Sequence, residues 1–100
     1  MPFTIDIRDV ALDELQVIKS YYRRRIVKAI DQQLVHQPNV ETKNRKILSG
    51  LKSDFEHDDP VWELRVGRHR VYYDVDDDSK TVVVRAIREK PPHVTTEQIT

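Results

Sequence analysis

The chain has 100 residues, of which 17 are basic, 17 are acidic and none is cysteine. This length fits one domain with a modest core, and a chain without cysteine has neither disulfides nor thiolate metal sites. The formal net charge of zero argues against a protein that coats nucleic acid through long-range attraction.

The N-terminal third predicts a strand followed by helical segments. Phe3, Ile5 and Ile7 alternate with polar residues, which indicates a half-buried strand over about residues 3 to 8. Asp9 then stands where a helix cap is expected. Apolar residues recur at helical spacing beyond it, in the first pattern at Leu12, Leu15, Ile18 and Tyr22, and in the second at Ile26, Ile30 and Leu34. The two patterns are compatible with a hairpin of helices or with one bent element.

The rest of the chain predicts a loop and three strands. Residues 38–60 are polar and interrupted by proline and glycine, so we expect a connecting loop with room for one short element. Residues 62–66, 70–75 and 81–87 have strand patterns, with a turn at Gly67 and another in the acidic run 76–79. Pro91 and Pro92 end the pairing, and residues 91–100 are expected to form a mobile tail.

These elements predict an α+β fold in one domain, residues 1–100, with the order β-α-α-β-β-β. The sheet is expected to be antiparallel, with the helices on one face and the other face open. No apolar run approaches the roughly 20 residues of a membrane helix, and no secretory signal is present at the N-terminus. We therefore expect a cytoplasmic protein without membrane contact.

The alternation of the strands separates the charged residues from the core. Trp62, Leu64 and Val66 should face the helices, which turns Arg65 and Arg70 toward the open face of one hairpin. Rigid planar cations there suit a phosphate ligand, but a solvated sheet face with cross-strand ion pairs looks the same in the sequence. Both interpretations stay open on spacing alone.

The chain has four histidines, at positions 36, 57, 69 and 93. His69 lies between Arg68 and Arg70, whose charges should lower its pKa and favour the neutral imidazole that a general base requires. His69 is two residues from Val71, so its side chain is expected on the same face of the strand as that core residue. The alternative to a catalytic role is therefore simple packing at the sheet edge. The four histidines lack metal-ligand spacing, and phosphate-loop and dinucleotide motifs are absent, so we expect neither a metal nor a cofactor.

Two C-terminal segments are more specific than this patterning. They are WELRVGRHRVYYDV at Trp62–Val75 and VVVRAIREK at Val82–Lys90, preceded by RRRIVKAI at Arg23–Ile30 and K-x-L-x-G at Lys46–Gly50. Together they resemble the RelE/ParE superfamily of toxins from type II toxin–antitoxin pairs. The resemblance covers nearly the whole chain and implies a small α+β fold and a cognate antitoxin partner.

The resemblance also implies an activity. RelE-like members cut messenger RNA on the ribosome, where the ribose 2′-hydroxyl attacks the adjacent phosphorus, whereas ParE-like members inhibit DNA gyrase without an enzymatic step. As an RNase, the chain would use Arg65, Arg70 and Lys90 to stabilise the phosphorane charge, and His69, or less favourably Glu63 or His93, to transfer protons. The remaining arginines of the hairpin would bind RNA, namely Arg68, Arg85 and Arg88.

The chain departs from RelE enzymes at two places. Val61 and Glu63 stand where those enzymes carry lysines near the start of the second strand, and Thr95 and Thr96 occupy the tail where they use a tyrosine. We expect a ribosome-dependent messenger RNA endonuclease. The alternatives are a ParE-like gyrase inhibitor and a degenerate member that only binds its antitoxin.

Overall fold

The computed structural model describes residues 2–90, which form two helices and five strands. In chain order these are β1 Thr4–Ile7, α1 Asp9–Gln16, α2 Ser20–Leu34, β2 Arg45–Leu48, β3 Val61–Val66, β4 His69–Asp76 and β5 Thr81–Glu89. The α+β class is confirmed. Strand β2 is an addition to the predicted order, and the predicted tail at 91–100 lies outside the described residues.

The sheet is mixed rather than wholly antiparallel. Its strand order is β1-β5-β4-β3-β2, and the pairs β2–β3, β3–β4 and β4–β5 are antiparallel. Strand β1 is instead parallel to β5, with Thr4 opposite Thr81 and Ile7 opposite Val84. Parallel neighbours need a long connection, and here the chain between β1 and β5 includes both helices and the other three strands. The alternation of a four-residue strand contains no signal for its direction.

The helical region is a pair of helices, which settles the alternative left open by the sequence. The break falls at residues 17–19, so Tyr22 belongs to α2 and not to the first helix. Asp9 is the first residue of α1, and the N-cap is Arg8 without a side-chain cap bond, so the predicted capping role of Asp9 is wrong. Its carboxylate lies in the first turn, where it complements the helix dipole.

The main core lies between the helices and the sheet. Ile26, Ile30 and Leu34 of α2 are buried at the predicted helical spacing. The sheet contributes the predicted inward residues Trp62, Leu64, Val71 and Tyr73, with Val66 and Val75 partly buried against them. Burial of each large apolar side chain contributes about 1.5–3 kcal/mol. No helix in residues 2–90 has the length and apolar composition needed to cross a membrane.

A β-bulge lies between β4 and β5. Tyr72 pairs with Ala86, whereas Tyr73 pairs with Val84, so Arg85 is the extra residue of β5. The bulge lets Val84 and Ile87 both join the helix-side core although they are three residues apart. This shift in register explains why apolar and polar residues do not alternate regularly along β5.

The second face of the sheet is covered at its centre, so the prediction of an open face is wrong there. The segment 49–60 crosses it and buries a small cluster made of Leu48, Phe55, Val61, Tyr72 and Ala86. The Phe55 ring stacks on Tyr72 with centroids 5.6 Å apart. An apolar patch on that face favours a cover because exposed apolar area is costly in water. We call this surface the loop-covered face.

Candidate functional site

Arg65 and Arg70 are directly opposite each other on β3 and β4, on the face away from the helices, as the alternation predicted. Arg65 is exposed, but Arg70 is buried. The Nη1 atom of Arg70 donates to the carbonyl oxygens of Gly67 at 2.8 Å and His69 at 2.9 Å. Its Nε lies 3.9 Å from Oε1 of Glu63. Arg70 therefore holds the β3–β4 turn, while Arg65 faces solvent.

The turn between these arginines follows from Gly67. Only residues 67 and 68 separate the paired Val66 and His69, and Gly67 has a φ of +59°. A positive φ at the first of two turn residues is typical of a type II′ hairpin turn, which glycine adopts without strain. The predicted turn at Gly67 is confirmed.

Arg85 is engaged inside the protein. Its Nε donates to Oδ2 of Asp74 at 2.7 Å, and its Nη2 lies 3.5 Å from Oδ2 of Asp58. Burial lowers the pKa of the Arg85 guanidinium. The hydrogen bond and charge of Asp74 raise that pKa, and so does the charge of Asp58. Together these carboxylates outweigh burial, so the net change is an increase. Arg85 is therefore a charged structural group.

Arg88, three residues further along β5, is also paired with two carboxylates. Its Nε donates to Glu14 of α1 at 2.7 Å, and its Nη1 lies 2.7 Å from Asp54. Burial lowers the pKa of Arg88, and the bonds to Asp54 and Glu14 raise it further than burial lowers it. Arg88 thus links β5 to α1 and to the segment 49–60.

The acidic run 54–59 provides the partners that sequence reasoning missed. Asp54 and Asp58 each meet an arginine of β5, so the run neutralises cations that were expected to face RNA. Arg85 and Arg88, which were expected to bind RNA, are therefore engaged in ion pairs with carboxylates of the protein itself. The acidic residues of the run 54–59 are visible in the sequence, but the arginine that each one meets depends on the fold of the loop.

Lys90 and Arg68 meet at the end of the sheet. The backbone N–H of Lys90 donates to the Arg68 carbonyl at 2.8 Å, and the Lys90 side chain is partly exposed. Arg68 is exposed and lies over the Tyr22 ring at 4.7 Å, with Glu89 at 3.4 Å. The Arg68 side chain thus extends toward α2.

His69 is not grouped with Arg65 and Arg70. It lies on the helix side of the sheet, nearly buried, with its ring 5.4 Å from the Tyr22 ring. Burial lowers the pKa of His69; Glu89 raises it, and Arg68 and Arg70 lower it again, for a net decrease. The predicted direction is confirmed, although burial outweighs the neighbouring cations. The side chain itself is on the wrong face for the scissile phosphate that those arginines would hold.

A chain of polar contacts within the loop joins Ser53, His57 and Asp59. The sequence analysis did not predict it. Ser53 Oγ lies 3.0 Å from His57 Nδ1, and His57 Nε2 lies 3.4 Å from Asp59. The Asp59 side chain is 90% exposed, so water screens its support of the imidazole, and Ser53 also reaches the Phe55 carbonyl at 3.0 Å. We interpret this chain as bracing of the loop. Across residues 2–90, no three His, Asp or Glu side chains are grouped so that they could hold a metal ion.

Comparison with known proteins places these features in context. A family model described as the ParE toxin of the type II toxin–antitoxin system parDE matches residues 5–90. Among solved structures, the RelBE2 toxin–antitoxin complex from Mycobacterium tuberculosis is similar with a TM-score of 0.70 and 20% identity, covering 90% of this chain and 100% of that chain. The archaeal RelE–RelB complex from Pyrococcus horikoshii gives 0.71 and 22%, covering 92% and 99%.

A double mutant of the E. coli toxin RelE in the free state is similar with a TM-score of 0.63 and 26% identity, covering 90% of this chain and 84% of that chain. A search of curated proteins gives no match. The two complexes share the fold at low identity.

Proposed function

Because the chain belongs to the ParE toxin family, within the RelE/ParE superfamily of type II toxin–antitoxin toxins, we propose that it is a cytoplasmic toxin that inhibits DNA gyrase by binding it and does not cut RNA. The observation that carries this proposal is that arginines on the loop-covered face are paired with carboxylates of the protein itself. Arg85 and Arg88 each have two carboxylate partners, and Arg70 is buried against its own turn.

Catalysis by 2′-hydroxyl attack requires fixed donors where charge develops on the phosphorus. Turning Arg85 toward a phosphate would leave Asp74 buried without its partner, and breaking a buried pair costs about 3–5 kcal/mol. A proton acceptor is also needed within hydrogen-bond reach, and His69 lies on the opposite face of the sheet. This arrangement favours the ParE-like alternative over the nuclease.

A protein partner suits the surface of the helical pair. Several large apolar side chains are exposed there, namely Val10, Leu12, Val17, Tyr21 and Val27. Exposed apolar side chains in a charged surround are typical of protein-binding surfaces. We propose that a cognate antitoxin binds this chain and blocks its toxicity, since two of the similar structures are toxin–antitoxin complexes.

Ribosome-dependent cleavage of messenger RNA is the second candidate. It is supported by the cross-strand neighbours Arg65 and Arg70 on the loop-covered face. Arg65 forms no ion pair or side-chain hydrogen bond within residues 2–90 and could meet a phosphate without breaking an internal contact. A degenerate member that only binds its antitoxin is the third.

One pair of assays separates these functions. Purified toxin is added to a gyrase supercoiling reaction and, separately, to translating ribosomes examined by toeprinting. We expect supercoiling to fail while the toeprint pattern stays that of untreated ribosomes. New toeprints with intact supercoiling would overturn the proposal in favour of the RNase, and an effect in neither assay would favour the antitoxin-binding member. Arg65→Ala serves as the matched variant, because it removes an exposed cation that only the RNase needs.

A further inference from the structure

A groove of about 450 Å³ opens on the helix side of the sheet, where the α1–α2 turn meets the β3–β4 turn. Its walls include Ile18, Lys19, Tyr22, Arg68, His69 and Ile87. The gyrase proposal does not use this groove, and its volume lies in the range of small-molecule sites.

His69 is the unusual residue in this wall. Only 5% of its surface is exposed, yet neither ring nitrogen forms a hydrogen bond with any other residue in the range 2–90. Its ring lies 5.4 Å from the ring of Tyr22. An imidazole that lines a groove with unused nitrogens is a donor and acceptor prepared for a ligand.

The groove also favours an anion. Helix α2 is 15 residues long and begins there, its N-cap Lys19 makes no side-chain cap bond, and its first turn has no acidic residue. The first N–H groups and the dipole of such a helix attract negative charge. Lys19 adds a cation without a partner in the described part of the chain, and Arg68 adds a second.

The carboxylates nearby leave this positive character in place. Glu14 is occupied by Arg88 at 2.7 Å and by the backbone N–H of Ile87 at 3.0 Å. Glu89 lies 3.4 Å from Arg68, in a pair whose two side chains are each more than half exposed, and such a pair is weak in water.

We propose that this groove binds a small phosphomonoester. Its phosphate would lie at the start of α2 within reach of Lys19, Arg68 and a ring nitrogen of His69. Its organic part would contact Val17 and Ile18. A phosphate suits this set because it accepts several charge-assisted hydrogen bonds at once.

The test follows the His69 ring signals by NMR during titration with adenosine 5′-monophosphate and with inorganic phosphate, at constant ionic strength. We expect saturable shifts of His69 and tighter binding of the nucleotide, because only the nucleotide reaches the apolar wall. Lys19→Ala should weaken nucleotide binding by roughly tenfold, the loss of one charge-assisted bond. Lys28→Ala removes the same charge from the exposed side of α2 and should leave binding unchanged.

Three results would overturn the site: shifts that do not saturate, equal weakening by both lysine variants, or equal affinity for the two probes. His69→Gln, with its fold checked by circular dichroism, should also weaken binding. Unchanged affinity in that variant would exclude His69 as a ligand contact. The assay contains neither gyrase nor ribosomes, so its outcome is independent of the proposed toxicity.

Discussion

Asp74 and Arg85 form an ion pair across β4 and β5 in which Oδ2 and Nε are 2.7 Å apart and the side chains are 5% and 9% exposed. The bulge at Tyr72 and Tyr73 makes Arg85 the extra residue of β5, and Asp74 also accepts the backbone N–H of Asp58 at 3.1 Å. One carboxylate therefore connects the bulged strand to the loop that covers the sheet.

Replacing Asp74 by Asn should destabilise the fold strongly. The variant leaves the Arg85 guanidinium buried with only the more distant Asp58, and loss of one partner of a buried pair costs about 3 kcal/mol or more. Urea denaturation followed by circular dichroism measures the change in the free energy of unfolding. Asp78→Asn, in the exposed turn, is the control and should stay within about 0.5 kcal/mol of wild type.

The double variant Asp74→Leu with Arg85→Met tests the same pair from the opposite direction. Replacement of a whole buried pair by apolar side chains is commonly close to neutral, so we expect it to be more stable than Asp74→Asn alone. A double variant as unstable as the single one would mean that Asp74 and Arg85 also stabilise the fold through contacts outside the pair, such as the bond from the Asp58 N–H to Asp74.

Phe55 should be the main apolar attachment of the segment 49–60. It stacks on Tyr72 and lies beneath the Arg88 guanidinium at 5.3 Å. Phe55→Ala is expected to cost about 3 kcal/mol and to speed amide hydrogen exchange in residues 49–60 more than in the helix-side core. Tyr21→Ala is a suitable control because that ring is 58% exposed. Uniform loss of protection would contradict a local role for Phe55.

Much of the helix-side architecture was predictable because it depends on local periodicity. The alternation through Trp62 and Leu64, and the spacing of Ile26 and Ile30, specify which side chains reach the core before any contact is known. Leu12 did not follow its pattern: it is 40% exposed, and Ala11 is buried instead. Helix α1 has only eight residues. In so short a helix, the residues that face the core are determined by tertiary packing as much as by the sequence pattern.

The loop-covered face could not be predicted in the same way. Strand β2 has only four residues, Arg45–Leu48, with two charges, and the cover over Tyr72 depends on contacts between distant segments. Arg65 and Arg70 were assigned correctly to this face. The availability of Arg85 and Arg88 depends instead on Asp54, Asp58 and Asp74. Sequence spacing gives the direction of a side chain along a strand and contains no information about partners that a loop brings to it.

Arg65 and Arg70 should differ in stability although they face each other across one hairpin. Arg70→Ala removes two charged hydrogen bonds to the turn carbonyls and leaves Glu63 without one of its cations, so we expect a loss of about 2 kcal/mol. Arg65→Ala removes an exposed side chain and should change stability by less than about 0.5 kcal/mol. Chemical denaturation of both variants checks this. Equal losses would show that Arg65 has a structural contact of its own.

His69 should make stability depend on pH. Its pKa in the folded protein lies below the ordinary value of 6.5, chiefly because of burial. The unfolded chain therefore binds more protons between the two pKa values, and stability rises with pH there. The contribution is complete above pH 6.5 and is lost as the pH falls toward the folded pKa.

Thermal unfolding between about pH 8 and pH 5 measures this contribution. Wild type should lose stability as the pH falls below 6.5, and His69→Gln should lose less over the same interval because glutamine does not titrate. His36→Gln replaces an exposed histidine and should keep the wild-type slope. If His69→Gln kept that slope as well, His69 would not be the source of the pH dependence.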